Sequence, residues 1–289
     1  MNWFTHNSRK VAVDRVCGNE IACLDLPGTR GPLPKIGSGS AATSRLAILA
    51  FHKIGEPPRA ANGSCWYIGG AEFRRHLEYL ATNRWEVISV DDFVRGLSDP
   101  EALPKRAALI TFDDGYKSLL DCASRCLVDF GYPAVAFVPT HYVEGYNDFD
   151  NGKEPKEAIC SWNDLRELER LGISVQSHGI RHRSFRCLSL REQEKEVTCS
   201  KRIVEERLGK PVQLFAYPYG HTPAHGRRAL GDLLKRVGYR AAFLFRGGVK
   251  EVAREDTYFM PRVGMYPGSD LATILGDQRD DTNRSRKSL

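Results

Sequence analysis

Three short stretches carry residues suited to hydrolytic chemistry. Thr111-Phe112-Asp113-Asp114-Gly115 sets two carboxylates side by side. Adjacent carboxylates repel unless a cation holds them, and successive strand side chains diverge, so a turn is needed before both face one site; Gly115 permits that turn. The structural alternative is a helix N-cap, which explains one of the two aspartates better than both. His178 and His182 follow, four residues apart. On a helical turn this spacing puts both imidazoles on one face, as in many zinc sites, whereas a single buried histidine is more often a hydrogen-bonded core residue. Two imidazoles and one carboxylate make a three-ligand set with coordination positions left open, as a catalytic zinc requires. The third stretch is Phe215-Ala216-Tyr217-Pro218-Tyr219-Gly220. Proline keeps the residue before it extended and glycine loosens the turn after it; the rings either stack on a sugar or pack in a tight loop.

Something must hold these stretches together. Seven apolar, β-rich runs are expected as strands: 46–51, 85–90, 107–112, 134–138, 173–176, 212–216 and 241–245. Several are apolar throughout, as strands covered on both faces are. Between them, helical spacing puts Phe73, Leu77 and Leu80 on one face, likewise Leu119, Ala123, Leu127 and Phe130, and Leu230, Leu233, Leu234 and Val237. Ser161 with Asp164 and Ser189 with Glu192 read as capping boxes, and Gly172, Gly209 and Gly238 as helix stops. Such alternation implies a parallel sheet with helices. His52, the Asp113–Asp114 pair, His178 and the Tyr217–Tyr219 loop each follow a different strand, where α/β barrels build their sites. An open sheet would gather its site at one switch point, so the pattern favours a barrel.

Bulk properties bound the reading. The 289 residues, 42% hydrophobic and 27% charged, suit one large α/β domain or two small ones. The net charge of +6 is spread along the chain, without a basic block or a basic stripe interleaved with aromatics, so no nucleic-acid partner is expected. The eight cysteines include no C-x-x-C pair. They read as reduced thiols, Cys122 and Cys126 as neighbours on a helix, and favour a reducing compartment. No run suits a signal peptide or a membrane span, which makes the cytoplasm the expected location, with export by another route still open. A Pro- and Gly-rich irregular extension is expected over 1–44, the domain over 45–276 and a polar tail over 277–289. The 142–160 loop, with Tyr146, Asp148, Phe149 and Asp150, is the expected groove wall.

Taken in order, T-F-D-D-G, S-H-x-x-x-H and F-A-Y-P-Y-G resemble the polysaccharide deacetylase family, also called the NodB-homology or carbohydrate esterase 4 family. The resemblance spans roughly Leu46 to Leu275. The Leu49-Ala50-Phe51-His52 segment and Pro261-Arg262-Val263 resemble a circularly permuted branch that includes enzymes acting on poly-β-1,6-N-acetylglucosamine. The resemblance implies a distorted seven-stranded (β/α) barrel. It implies Asp113 as catalytic base, Asp114, His178 and His182 as metal ligands, Tyr219 as a backbone oxyanion donor and His52 as general acid. It implies a divalent metal, with Zn2+ suiting the ligands and Co2+, Ni2+ or Fe2+ also fitting. The implied reaction is removal of N-acetyl groups from an N-acetylglucosamine-containing polysaccharide or oligosaccharide. An O-acetyl esterase acting on a polysaccharide such as xylan is the nearest alternative, and a non-catalytic carbohydrate-binding protein on the same scaffold is another. One position departs from the family. An arginine that usually steadies the catalytic aspartate is replaced here by Ala216. Arg262 is a candidate substitute, at the end of an apolar run, Tyr258 to Pro261, that could return to the barrel as a last strand; the alternative is a surface arginine.

Overall fold

The computed structural model describes residues 44–61, 64–150, 152–245, 247–251 and 256–277. The expected N-terminal extension (up to residue 43) and the tail from 278 onward lie outside the described residues, as do Cys17 and Cys23.

In chain order, β1 (Arg45–Phe51) and β2 (Lys53–Ile54) precede β3 (Tyr67–Ile68), α1 (Gly70–Thr82), β4 (Glu86–Val87) and α2 (Val90–Ser98). Next come β5 (Arg106–Phe112), α3 (Ser124–Phe130), β6 (Ala134–Val138), α4 (Trp162–Arg170), β7 (Ile173–Ser177) and α5 (Leu190–Leu208). The remaining elements are β8 (Leu214–Ala216), α6 (Arg227–Val237), β9 (Ala241–Phe243), β10 (Lys250–Glu251), β11 (Val263–Gly264) and α7 (Leu271–Leu275). The main sheet runs β10-β1-β5-β6-β7-β8-β9, with β4 also beside β5 and β11 beside β1. All its pairs are parallel except that of β1 with β10.

The ring is completed late in the chain. Met260 bridges to Phe243 of β9, exchanging hydrogen bonds with Leu244 N and Ala242 O at 2.8 and 2.9 Å. A few residues on, Val263 and Gly264 pair with Leu49 and Ala50 of β1. The 260–264 segment therefore carries the ladder from β9 back to β1. The seven expected strands correspond to β1 and β4 to β9, and the fold is the barrel that the sequence pattern favoured, in the distorted (β/α) form that the family resemblance implied.

Three strands are shorter than expected, two of them for visible reasons. The 85–90 run contributes only β4, because Ser89 and Asp92 form a capping box that starts α2. β8 begins at Leu214, because the Gln176 side-chain oxygen accepts the N–H groups of Gln213 and Leu214 (2.8 and 2.9 Å) where β7 would otherwise pair. β9 ends at Phe243. The two expected capping boxes open α4 and α5, and Gly209 and Gly238 close α5 and α6 in the left-handed conformation.

Alternation along the strands divides the core. Leu46 and Ile48 of β1 join Leu109, Val135, Phe137, Leu214 and Phe243 in the barrel interior, with Phe93 of α2 and Met260. Ala47, Leu49 and Phe51 point the other way, into a larger layer under the helices that holds Phe73, Leu77 and Leu80. The barrel is thus a filled core, and its chemistry sits at the strand ends.

The reading of all cysteines as reduced thiols is overturned: Cys65 and Cys187 are disulfide-bonded. Cys122, Cys126, Cys160 and Cys199 are free, and Cys122 is exposed.

Candidate active site

Asp113 extends β5 by one residue, donating its N–H to Phe51 O at 2.9 Å. The chain then turns through Asp114 (φ 70°) and Gly115 (φ 71°). The left-handed region is open to glycine and tolerable for aspartate. A Cβ on Gly115 would also lie 2.8 Å from Val138 Cγ1. This double left-handed turn lets two neighbouring carboxylates leave one strand end in different directions, and both are buried.

Asp113 meets Arg262. The guanidinium donates to both carboxylate oxygens, Nη1 to Oδ1 at 2.7 Å and Nη2 to Oδ2 at 2.6 Å. Its Nε is tied to Leu244 O at 2.9 Å and its Nη1 to Thr111 Oγ1 at 3.2 Å. Arg262 is 0% exposed, which excludes the surface alternative. It arrives on the segment that closes the ring, one residue before β11. Burial alone would raise the Asp113 carboxyl, but the charges of Arg262 and His178 and the guanidinium hydrogen bonds outweigh it and hold the group below the usual carboxylate range. Ala216, where the family's arginine is absent, is buried in the barrel interior.

Asp114 meets the histidines. Its Oδ1 lies 3.4 Å from His178 Nε2 and 3.1 Å from His182 Nε2. These contacts are close but are not aligned as hydrogen bonds, and Oδ1 is buried without a hydrogen-bond partner. One ligand atom from each of the three residues falls within a group no wider than 4.8 Å. Ligands each 2.0–2.1 Å from a tetrahedral ion lie about 3.3 Å apart, so the three residues fit a small divalent cation. Burial works to raise the Asp114 carboxyl, and the two imidazoles hold it well below its ordinary value.

The histidines are not on a helical turn, as their spacing suggested. They flank a bent loop after β7, in which Gly179 has φ 79° and His182 φ 50°. His178 is fixed by a 2.8 Å hydrogen bond between Nδ1 and Ala216 O, which leaves Nε2 toward Asp114. His182 is wedged between rings, with Phe149 and Tyr219 at centroid distances of 4.4 and 4.5 Å. Tyr219 itself has φ 59°. Strained backbone at Asp114, His182 and Tyr219 thus converges on one place, as it commonly does at functional sites. Tyr217, by contrast, is fully buried and donates its hydroxyl to Tyr258 O at 3.0 Å, a packing role.

His52 follows β1 and is half-buried between Trp66 and Phe245, at centroid distances of 4.5 and 5.4 Å. Its Nδ1 is buried with no hydrogen-bond partner, so proton exchange falls to Nε2. Burial lowers its pKa, opposed by the charges of Asp114 and Asp113. A Cβ on Gly220 would meet Phe245 N at 2.3 Å, and one on Gly264 would meet the Phe245 ring at 2.8 Å. The glycine that ends the Tyr-Pro-Tyr-Gly turn therefore makes room for the backbone of Phe245, and Gly264 makes room for its ring beside His52.

The 142–160 loop is more firmly docked than a solvated groove wall. Asp150 accepts from Tyr116 Oη (3.1 Å) and Asn147 Nδ2 (2.6 Å), and Glu154 from buried Lys53 (3.0 Å) and Ser64 (2.8 Å). Phe149 is buried on His182, so only Tyr146 and Asp148 of the four expected groove residues are exposed. The sequence reading missed Trp66, Phe245 and Glu196. Only Glu196 left a trace there, as a carboxylate on the face of α5 that also buries Gln193, Val197, Ser200 and Val204.

Residues 101–242 match the model of the polysaccharide deacetylase family. YxkH of Bacillus subtilis is 23% identical over 225 residues, covering 78% of this chain and 73% of that protein. The poly-beta-1,6-N-acetyl-D-glucosamine N-deacetylase of Escherichia coli is 23% identical over 250 residues, covering 75% of this chain and 36% of that enzyme. This chain thus spans about a third of the latter's length. Among solved structures, the deacetylase PplD of Streptococcus pyogenes superposes with a TM-score of 0.67 at 21% identity, covering 78% of this chain and 94% of that one. IcaB from Ammonifex degensii does so at 0.64 and 22%, covering 77% and 92%. At such identities the superpositions speak for the fold. Together with the family-model match over the segment that carries both aspartates and both histidines, they make this chain similar to the polysaccharide deacetylases in fold and in the sequence of that segment.

Proposed function

We propose that the chain removes N-acetyl groups from an N-acetylglucosamine-containing polysaccharide or oligosaccharide, with a divalent ion, Zn2+ in the first instance, held by Asp114, His178 and His182. The observation that carries the reading is the division of labour between two adjacent buried carboxylates. Asp113 is gripped by Arg262 at 2.6–2.7 Å, outside the ligand group, whereas Asp114 turns an unpartnered oxygen toward two imidazoles. The name of the E. coli relative supports the amino-sugar substrate.

Such an ion, when bound, supplies Lewis acidity toward a water and an acyl oxygen. The protein's own groups do the rest. Asp113 takes the proton of the attacking water, and Arg262 keeps that carboxylate ionised and aimed. The Tyr219 backbone N–H serves the developing oxyanion. His52, through Nε2, hands a proton to the departing amine, which leaves poorly without one. Disulfide-bonded Cys65 and Cys187 support an oxidising location for the folded chain over the cytoplasm.

The test is acetate release from an N-acetylglucosamine oligomer, with and without a chelator, followed by Zn2+ readdition, and the same assay on acetylated xylan. Release from the amino sugar that stops with chelator and returns with zinc supports the reading. Release from xylan alone replaces it with an O-acetyl esterase, and chelator-insensitive release removes the metal from it.

A further inference from the structure

The two histidines are held in place by different means. His178 has a ring hydrogen bond to Ala216 O, and its backbone N–H continues the sheet to Val138 O at 3.0 Å. His182 has neither support: its Nδ1 is buried without a hydrogen-bond partner. Ring contacts limit where its imidazole can go but do not fix its rotation about the backbone. Its aim depends on the chain just before it, and that chain is bent away from regular structure.

Glu196 is what holds that chain. It sits on the buried face of α5, 5% exposed. Its Oε2 accepts Ile180 N at 2.5 Å and Arg181 N at 3.3 Å, the two N–H groups immediately before His182. Among the described residues it forms no ion pair with a lysine or arginine. The loop is shaped to this carboxylate: Gly179 has φ 79°, and a Cβ there would lie 2.9 Å from Glu196 Oε2. On the other side, Thr140 N and His141 N bond Gly179 O and Ile180 O at 3.1 and 2.9 Å, so the loop is clamped between α5 and the segment after β6. A buried carboxylate that accepts two N–H bonds is a strong anchor, because charge-assisted bonds exceed neutral ones.

We infer that Glu196 is a positioning residue for metal binding, acting through the backbone at 180 and 181 to set the coordinating direction of His182. The inference rests on the proposed metal site. Groups that orient a ligand typically cost about 10- to 100-fold in metal affinity when removed.

The experiment measures Zn2+ affinity by competition with a chromophoric chelator, alongside the thermal midpoint of the metal-free protein. Glu196→Gln, which keeps the shape and one acceptor oxygen but loses the charge, is expected to weaken Zn2+ binding about 10-fold, and Glu196→Ala about 100-fold. Gly179→Ala disturbs the same contact from the loop side, reports even if Glu196→Ala does not fold, and is expected to weaken binding as well. The deciding measurement is a double-mutant cycle. The Glu196→Gln effect should nearly vanish in a His182→Ala background and persist in a His178→Ala background. A lowered thermal midpoint with unchanged Zn2+ affinity, or equal losses in both backgrounds, overturns the inference and leaves the metal site standing. No Zn2+ binding by the unmodified protein overturns both.

Discussion

Asp113 and Asp114 are chemically identical neighbours whose surroundings give them different work. One faces a guanidinium that saturates both its oxygens; the other faces two imidazoles and keeps an oxygen unpartnered. Both carboxyls are pushed up by burial and pulled below their ordinary value by what they face, the second more strongly. The difference teaches that chemical role here is set by the partner across the turn and not by residue type. A carboxylate with both oxygens occupied by an arginine is fixed in direction and stays charged, as a base must. One with an open oxygen among imidazoles has a coordination position to offer.

The sharpest break in that comparison is mutational. Asp114→Ala, His178→Ala and His182→Ala are each expected to lose tight Zn2+ binding and turnover together, keeping only a residual affinity measurable at excess zinc. Asp113→Asn should bind Zn2+ like the wild type and lose turnover about 100- to 10,000-fold, the usual worth of a positioned acid–base group. Zinc titration beside acetate release reads both, and an Asp113→Asn protein that binds no zinc would erase the distinction. Next in size is Arg262→Ala. It strands a buried carboxylate and is expected to cost about 3–5 kcal/mol of stability by chemical denaturation, with a fall in kcat and full zinc binding. Arg262→Lys should recover part of the stability and less of the rate, since an ammonium cannot make the paired contact. Gly115→Ala attacks the turn that separates the two carboxylates. Strain at φ 71° and the 2.8 Å approach to Val138 should cost about 1–3 kcal/mol and depress zinc binding and rate together. A small control lies away from both. Burial pushes the Asp164 carboxyl up, but the Lys117 hydrogen bond and those to Ser161 win and hold it below its ordinary value. Its contribution is therefore complete above the unfolded carboxylate range and lost as pH falls through the folded value. Ser161→Ala should cost about 1 kcal/mol near neutrality. Denaturation at pH 6 and pH 3 should show that difference shrinking as Asp164 is protonated, with zinc affinity at pH 6 untouched.

Much of this was legible in the sequence. Near-continuous apolar runs located the strands, and the placing of polar residues just after them gave the barrel. The aspartate pair, both histidines and the arginine stood out by type and position, and the structure brings Arg262 onto Asp113 and both histidines onto Asp114. Less legible was how the backbone achieves this. Four-residue spacing pointed to a helical turn for His178 and His182, whereas the loop is shaped by Gly179 and by Glu196 from a helix that follows it in the chain. Such long-range anchors leave no local pattern. Trp66 and Phe245 beside His52 carry no motif, because any aromatic run reads equally as core. The cysteines misled for a similar reason: spacing alone does not reveal which thiols meet in space.

The closing segment has a consequence for biosynthesis. Arg262 follows its partner by 149 residues. At about 5–20 residues per second, a ribosome adds it roughly 7–30 s after Asp113. Until then β9 has an open edge and Asp113 lacks its guanidinium, so a nascent chain that has already made all seven expected strands cannot yet seal its ring. The same few residues complete the ladder and orient the carboxylate. Translation that stops before Met260 therefore leaves the ladder between β9 and β1 unsealed and Asp113 without its arginine.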